Sequence, residues 1–150
     1  MQLSGNRILN AVPARVWEML MNPDSLARVV PGISSLEMIS ENSFISTVNI
    51  KIGPVSSSFS GKLQLGDIIE EKSFTLKTQQ NSKIGNGNAT LQIKLAPYGE
   101  NQTELIFDGD VKLSGMLASM GQRIVSGVAN TLTNQFFNNI QKELTVTTDL

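Results

Sequence analysis

Apolar and polar side chains alternate with period two through the middle of the chain, and each such run predicts a strand with one buried and one wet face. In 44–52, Phe44, Val48, Ile50 and Ile52 share one parity while Thr47, Asn49 and Lys51 take the other. In 59–65, Phe59, Gly61, Leu63 and Leu65 alternate with Ser60, Lys62 and Gln64. Phe74 and Leu76 alternate with Ser73, Thr75 and Lys77, in a segment expected to end in the polar stretch QQNSK. Ala89, Leu91, Ile93 and Leu95 alternate with Thr90, Gln92 and Lys94, and in the fifth run Leu105, Phe107, Val111 and Leu113 alternate with Asp108, Asp110 and Lys112. Segments 33–40 and 2–10 are expected as further strands, the latter with a bulge where Ile8 and Leu9 interrupt the alternation.

Turn chemistry is expected at Gly53-Pro54, Gly66-Asp67, Gly85-Asn86-Gly87-Asn88 and Tyr98-Gly99-Glu100-Asn101, where these residues ease chain reversal. Short connections between consecutive strands imply an antiparallel meander.

Helical spacing flanks the sheet pattern. Pro13 suits a first turn, Val16, Trp17, Leu20 and Met21 share one face, and Asn22-Pro23 ends the run. A short second helix is expected over 24–29, with Asn22 or Asp24 at its start, before Pro31-Gly32. The segment 117–143 lacks proline, and about 27 residues at 1.5 Å each would span ~40 Å, enough to cross a small sheet. Leu117, Met120, Ile124, Val128, Leu132, Phe136 and Ile140 form a winding apolar stripe on it, opposite Arg123, Asn130, Asn134, Asn138 and Gln141. The predicted order is strand, two helices, six strands and helix: an α+β domain over 1–150 whose curved antiparallel sheet of about seven strands grips the long C-terminal helix.

Composition narrows the function. A chain of 150 residues buries roughly two-thirds of its unfolded surface on folding, so a core forms without staples. With no cysteine and no histidine, it has no disulfide, no thiolate zinc site, no Ser-His or Cys-His pair and no histidine acid-base catalyst. Its net charge of -1 and scattered lysines supply no field to gather nucleic acid. No run approaches the ~20 apolar residues of a membrane span and no secretory signal opens the chain, so a cytoplasmic address is expected, peripheral to the membrane at most.

Paired carboxylates could still support acid-base work, but Asp108 and Asp110 point away from the apolar face and Glu70-Glu71 sit at a turn. The Asn86 loop lacks the lysine and following helix of a phosphate cradle. Lys51 and Lys62 read as solvated positions, and Arg123 as facing solvent or a partner. Gly61 and Gly109 fall at inward positions and Gly121 on the helix stripe, where each either leaves space or permits close approach of backbone.

The segments PGISSLE (31–37), KIGPVSSSFSGKLQL (51–65), GNGNATLQIKL (85–95) and SGMLASMGQRIVSGVANTLTNQFF (114–137) resemble the pattern of the carbon monoxide dehydrogenase G-subunit (CoxG) family, within the START/Bet v 1-like superfamily of polyketide cyclases and lipid transport proteins. The resemblance covers nearly the whole chain. It implies a helix-grip fold with an apolar tunnel and a noncatalytic accessory role, recruiting or maturing a molybdenum hydroxylase of the carbon monoxide dehydrogenase type. A quinone or another lipid-like molecule is the implied cargo, with no metal or covalently held cofactor. Many relatives carry a Pro/Ala-rich tail with an apolar end; this sequence stops at Leu150, which implies transient membrane contact at most.

On that reading the cavity lining comprises Val48, Phe59, Leu63, Phe74, Leu91, Ile93 and Phe107 of the strands. Trp17 and Leu20 of the first helix join it, with Gly121, Ile124, Val128 and Leu132 of the last. The same stripes also suit a solid core. Two alternatives therefore stand beside the carrier: a cyclase- or hydratase-like enzyme of the same superfamily, and a module that binds only protein.

Overall fold

The computed structural model describes residues 1–148, with side chains to 145. Its elements run β1 (Gln2–Leu9), α1 (Pro13–Met21), α2 (Pro23–Val29), β2 (Ile33–Ser40), β3 (Ser43–Ile52), β4 (Val55–Ile69), β5 (Ser73–Ser82), β6 (Gly85–Pro97), β7 (Thr103–Leu113), α3 (Met116–Ser119) and α4 (Gln122–Thr148). The strands form one antiparallel sheet in the order β1-β7-β6-β5-β4-β3-β2. Strands β2 to β7 are the expected meander, and β1 joins the far edge beside β7. The α+β helix-grip expectation holds: the sheet's apolar face turns toward α1, α2 and α4.

The predicted boundaries shift where polar residues serve as strand. Gly66-Asp67 is a bulge within β4, with Asp67 at φ 48°, and the chain reverses three residues later at Glu70–Lys72. Gly85 to Asn88 already belong to β6, whereas β5 ends at Ser82, within the stretch QQNSK as expected. The bulge expected at Ile8–Leu9 is absent: β1 pairs with β7 in unbroken register through Leu9. Ile8 simply takes the outer face at an edge strand.

The long helical segment divides at Gly121. There φ is +93°, and α3 ends before α4 begins, so Leu117 and Met120 belong to a separate turn. A Cβ added at Gly121 would meet nothing within 4 Å, so its role is the left-handed backbone and not close packing.

Local sequence accounts for the two helices between β1 and β2. Pro13 occupies the first turn of α1, where its missing N–H costs no hydrogen bond, and Val16, Trp17, Met19 and Leu20 are buried. Asn22 Oδ1 accepts from the Asp24 backbone N–H at 2.9 Å, capping α2. Arg28 of α2 donates through Nε (2.8 Å) and Nη2 (2.6 Å) to Glu143 Oε1 of α4. That hydrogen bond raises the Arg28 pKa. Arg15 Nη2 likewise donates to the Leu144 carbonyl at 3.1 Å, so both short helices grip the far half of α4.

Two apolar clusters hold the layers together. The larger joins Leu9, Trp17, Leu20, Phe74, Leu105 and Phe107 to Phe137, Ile140 and Leu144 of α4. The smaller joins Ile52 and Phe59 to Leu117 of α3, with Val48, Ile50 and Val128 packed against it. They lie toward opposite ends of the sheet's inner face, and the near half of α4 spans the distance between them.

Gly127 in that half of α4 has open space around it and no positive φ. Gly127→Ala is expected to raise stability by about 0.5–1 kcal/mol, because a helix-interior glycine gives way to the best helix former. Urea unfolding of the two proteins checks this.

Candidate functional site

Residues directly opposite on paired strands share a face, so the register lays out the floor beneath α4 row by row. One row runs Phe44, Leu63, Thr78, Ala89 and Val111, and the next runs Ser46, Gly61, Gln80, Gly87 and Leu113. Leu65, Leu76, Leu91 and Gly109 form a third, leading toward Phe74, Ile93 and Phe107. Between the two clusters, Leu63, Thr78, Gln80, Ala89 and Leu91 point under the helix yet remain only half-buried. Val125, Val128, Ala129 and Leu132 on α4 are half-buried as well. Side chains covered by a packed helix would be sealed. The middle of the interior is therefore loosely covered by α4, and is the candidate hollow between sheet and helix.

Beside this region the surface has an open mouth. A groove of about 680 Å³ runs between the near half of α4 and the end of β3, lined by Pro31, Gly32, Asn49, Ile50, Lys51 and Gly53 on one side. On the other side are Arg123, Ile124, Gly127, Val128, Thr131, Leu132 and Gln135. Ile124 is 47% exposed there, an apolar side chain standing at the opening. This volume is of the size that takes small organic ligands.

The structure distributes the expected lining residues over three environments. Ile124, Val128 and Leu132 line the mouth. Leu63 and Leu91 form part of the half-buried floor, and Val48 and Phe59 pack beside it in the smaller cluster. Trp17, Leu20, Phe74 and Phe107 are sealed in the larger cluster, with Ile93 packed against them. Trp17 meets Phe74 edge-on with ring centroids 5.8 Å apart, a preferred aromatic geometry. Gly121 lies apart from the mouth residues, exposed at the helix break.

The inward glycines owe their place to the sheet backbone. A Cβ on Gly61 would run into the Gln79 carbonyl oxygen, and one on Gly109 into that of Thr90. The neighbouring strands approach too closely for any side chain there, so these positions bend the sheet.

Sequence reading missed the polar floor. Ser46, Thr78 and Gln80 carry on the inward parity of Phe44, Phe74 and Leu76, but their polarity reads as turn or outer face. Following the parity from Phe44 along β3 and from Phe74 along β5 would have found them. Arg7 was missed too: it is opposite Leu105, on the inward side of edge strand β1. Its guanidinium lies 5.3 Å from the centre of the Phe137 ring and donates to Asn134 Oδ1 (3.0 Å) and the Asn6 carbonyl (2.8 Å). It ties the sheet edge to α4.

The acidic groups weighed from sequence lie away from the inner face, with Glu70 and Glu71 exposed at the turn after β4. Asp108 is exposed, and Asp110 accepts from the N-terminal ammonium of Met1 at 3.4 Å. Asp67 accepts from Thr75 Oγ1 at 3.2 Å on the outer face. Among the described residues, no three acidic side chains gather where they could hold a metal, and no helix is long and apolar enough to cross a membrane.

A curved antiparallel sheet closed by a long C-terminal helix defines a START-like helix-grip fold. The solved structures agree on the fold. A conserved protein from Geobacillus kaustophilus superposes with a TM-score of 0.93 at 30% identity, over 97% of this chain and 95% of its own. An aromatase/cyclase from a Streptomyces species reaches 0.72 at 11% identity, covering 96% and 93%. A START superfamily protein from Mycobacterium smegmatis reaches 0.72 at 13%, covering 95% and 96%. The family model of the carbon monoxide dehydrogenase G subunit (CoxG) matches residues 5–145, and the chain belongs to that family. A search of curated protein sequences found no significant match.

Proposed function

We propose that this protein is a noncatalytic accessory protein that carries an apolar small molecule, quinone-like or lipid-like, in the hollow between its sheet and α4. The observation that carries the reading is the half-buried state of inward side chains such as Leu63, Ala89 and Leu91 beneath a helix that should have sealed them. Membership of the CoxG family supports the accessory role beside a molybdenum hydroxylase of the carbon monoxide dehydrogenase type. The absence of histidine and cysteine from the whole sequence favours holding a molecule over changing it. Contact with the cytoplasmic membrane would then be brief, at the loading or release of cargo.

Native mass spectrometry and solvent extraction of protein purified from its own host test the carrier. One apolar molecule per chain is expected. An empty hollow that takes up no quinone, fatty acid or isoprenoid would remove the carrier and leave the protein-only module. Val128→Trp is expected to lower uptake of an apolar fluorescent probe at least tenfold by filling the groove, while thermal unfolding reports whether the fold survives. Copurification of a molybdenum hydroxylase with the tagged protein tests the partner.

A further inference from the structure

We propose that the groove beside α4 takes an amphiphile with an anionic head, its charge held at the rim by Lys51 and Arg123 and its apolar chain laid along the floor. This rests on the carrier reading and deepens it, narrowing the cargo to a lipid-like acid.

The groove has two cations and no carboxylate in its lining. Lys51 comes from the end of β3 and Arg123 from the first turn of α4. Both are exposed, and among the described residues neither forms an ion pair. The aliphatic part of the lining is Ile50, Ile124, Val128 and Leu132.

Charge is one-sided over a wider area around this opening. The β3–β4 and β5–β6 connections and α3 meet at one end of the sheet: the Leu117 N–H donates to the Ile84 carbonyl at 3.0 Å, and Ile52, Ile84, Leu113 and Val128 gather in the same cluster. The segments that build this end, 49–58, 80–88 and 111–128, hold Lys51, Lys83, Lys112 and Arg123 and no aspartate or glutamate. The connections at the opposite end, after β2, β4 and β6, carry Glu41, Glu70, Glu71 and Glu100 against Lys72 alone. A chain of net charge -1 thus sorts its charges by end. A field of one sign around a concave opening raises the local concentration of ligands of the other sign.

An uncharged ligand would cover the aliphatic floor and leave both cations idle. A small soluble anion would meet the cations and leave Ile124, 47% exposed, against water. An amphiphile uses both features. Its head stays at the exposed rim and keeps much of its water, so each cation contributes as a surface ion pair does. The chain supplies most of the affinity by covering apolar surface.

Two fluorescent probes with the same chain, cis-parinaric acid and its methyl ester, isolate the head. As monomers at low salt, the acid is expected to bind wild-type protein about three- to tenfold more tightly than the ester, the range that two surface ion pairs supply. A purely apolar groove would prefer the ester, because a carboxylate gives up its water less readily. Lys51→Gln combined with Arg123→Gln should weaken the acid by at least the same factor and leave the ester unchanged. Raising salt from about 20 mM to about 0.5 M should erode the wild-type preference in the same direction. Lys62→Gln combined with Lys94→Gln removes equal charge from the outer face of the sheet and should keep the preference. All four side chains are exposed, so thermal unfolding of both double variants is expected to match wild type.

Equal binding of the two probes to wild type, or a preference for the ester, would overturn the anionic head and leave the carrier reading standing. An acid preference that survives in the groove variant, or falls equally in the outer-face variant, would overturn the site as well. Cosedimentation with vesicles of phosphatidylglycerol and of phosphatidylcholine separates a bilayer surface from a bound monomer. A phosphatidylglycerol preference lost in the groove variant, without discrimination between the two probes, would replace the ligand site by a membrane contact. Binding of neither probe would sink the proposal together with the carrier reading.

Discussion

Ile140→Ala is expected to destabilise the protein by about 3–4 kcal/mol, the largest loss anticipated from a single truncation, measured as a fall in the urea midpoint at unchanged slope. Ile140 is 0% exposed and sits where α4 meets the larger cluster, among Leu9, Leu105, Phe137 and Leu144. Removing three carbons there forfeits their transfer free energy and leaves a cavity that cannot collapse, since the surrounding side chains come from the sheet and α4. A domain of this size is stable by only about 5–15 kcal/mol, so the loss takes a large share. The contrast is Ile124→Ala on the same helix. Ile124 is nearly half exposed at the mouth, so its truncation is expected to leave the midpoint within about 0.5 kcal/mol while weakening ligand uptake. A comparable stability loss from both would mean that α4 packs uniformly and that the hollow does not exist.

Gly61→Ala is the second severe change, expected to cost about 3 kcal/mol or to prevent folding. The added methyl would meet the carbonyl of Gln79 and the backbone of Gln80, which cannot swing aside as a side chain can. Relief requires parting β4 from β5, which breaks their hydrogen-bond ladder. Gly66→Ala, five residues along the same strand, has no atom within 4 Å of the new methyl and is expected to fall within about 0.5 kcal/mol of wild type. Equilibrium unfolding of the two variants side by side gives the comparison. Equal stabilities would show that the strands can separate freely at Gly61.

Much of the fold follows from short-range patterning. Alternation in runs such as 89–95 sets which face of each strand is apolar, and Pro13, Asn22-Pro23 and Pro31-Gly32 punctuate the first helices; both kinds of signal act within a few residues and survive in the final structure. The misplaced turns share one cause. Gly66-Asp67 and Gly85 to Asn88 have turn composition, yet cross-strand pairing absorbs them, as a bulge in β4 and as the start of β6. The helix break at Gly121 escaped because leucine and methionine on its N-terminal side continue the apolar stripe in phase.

The candidate site was legible only in part. Periodicity marks Leu63, Leu91, Val128 and Leu132 as inward, but it marks Trp17, Phe74 and Phe107 in the same way, though these are sealed in the larger cluster. An inward apolar residue looks the same in sequence whether another side chain or empty space faces it. Gln80 and Ser46 were invisible for the opposite reason, since buried polar residues break the very pattern used to find the inner face.

The sequence by itself determined an α+β grip of sheet and helix, because period two and period 3.6 are local properties of the backbone. It also determined the chemistry denied to the protein, because no fold can supply an absent histidine or cysteine. Only the tertiary structure decided how far α4 stands from the sheet, and with it which inward side chains are sealed and which stay half-buried. That distance depends on contacts between residues far apart in the chain, from Leu9 and Trp17 with Ile140 at one end to Phe59 with Leu117 and Val128 at the other. No local pattern records it.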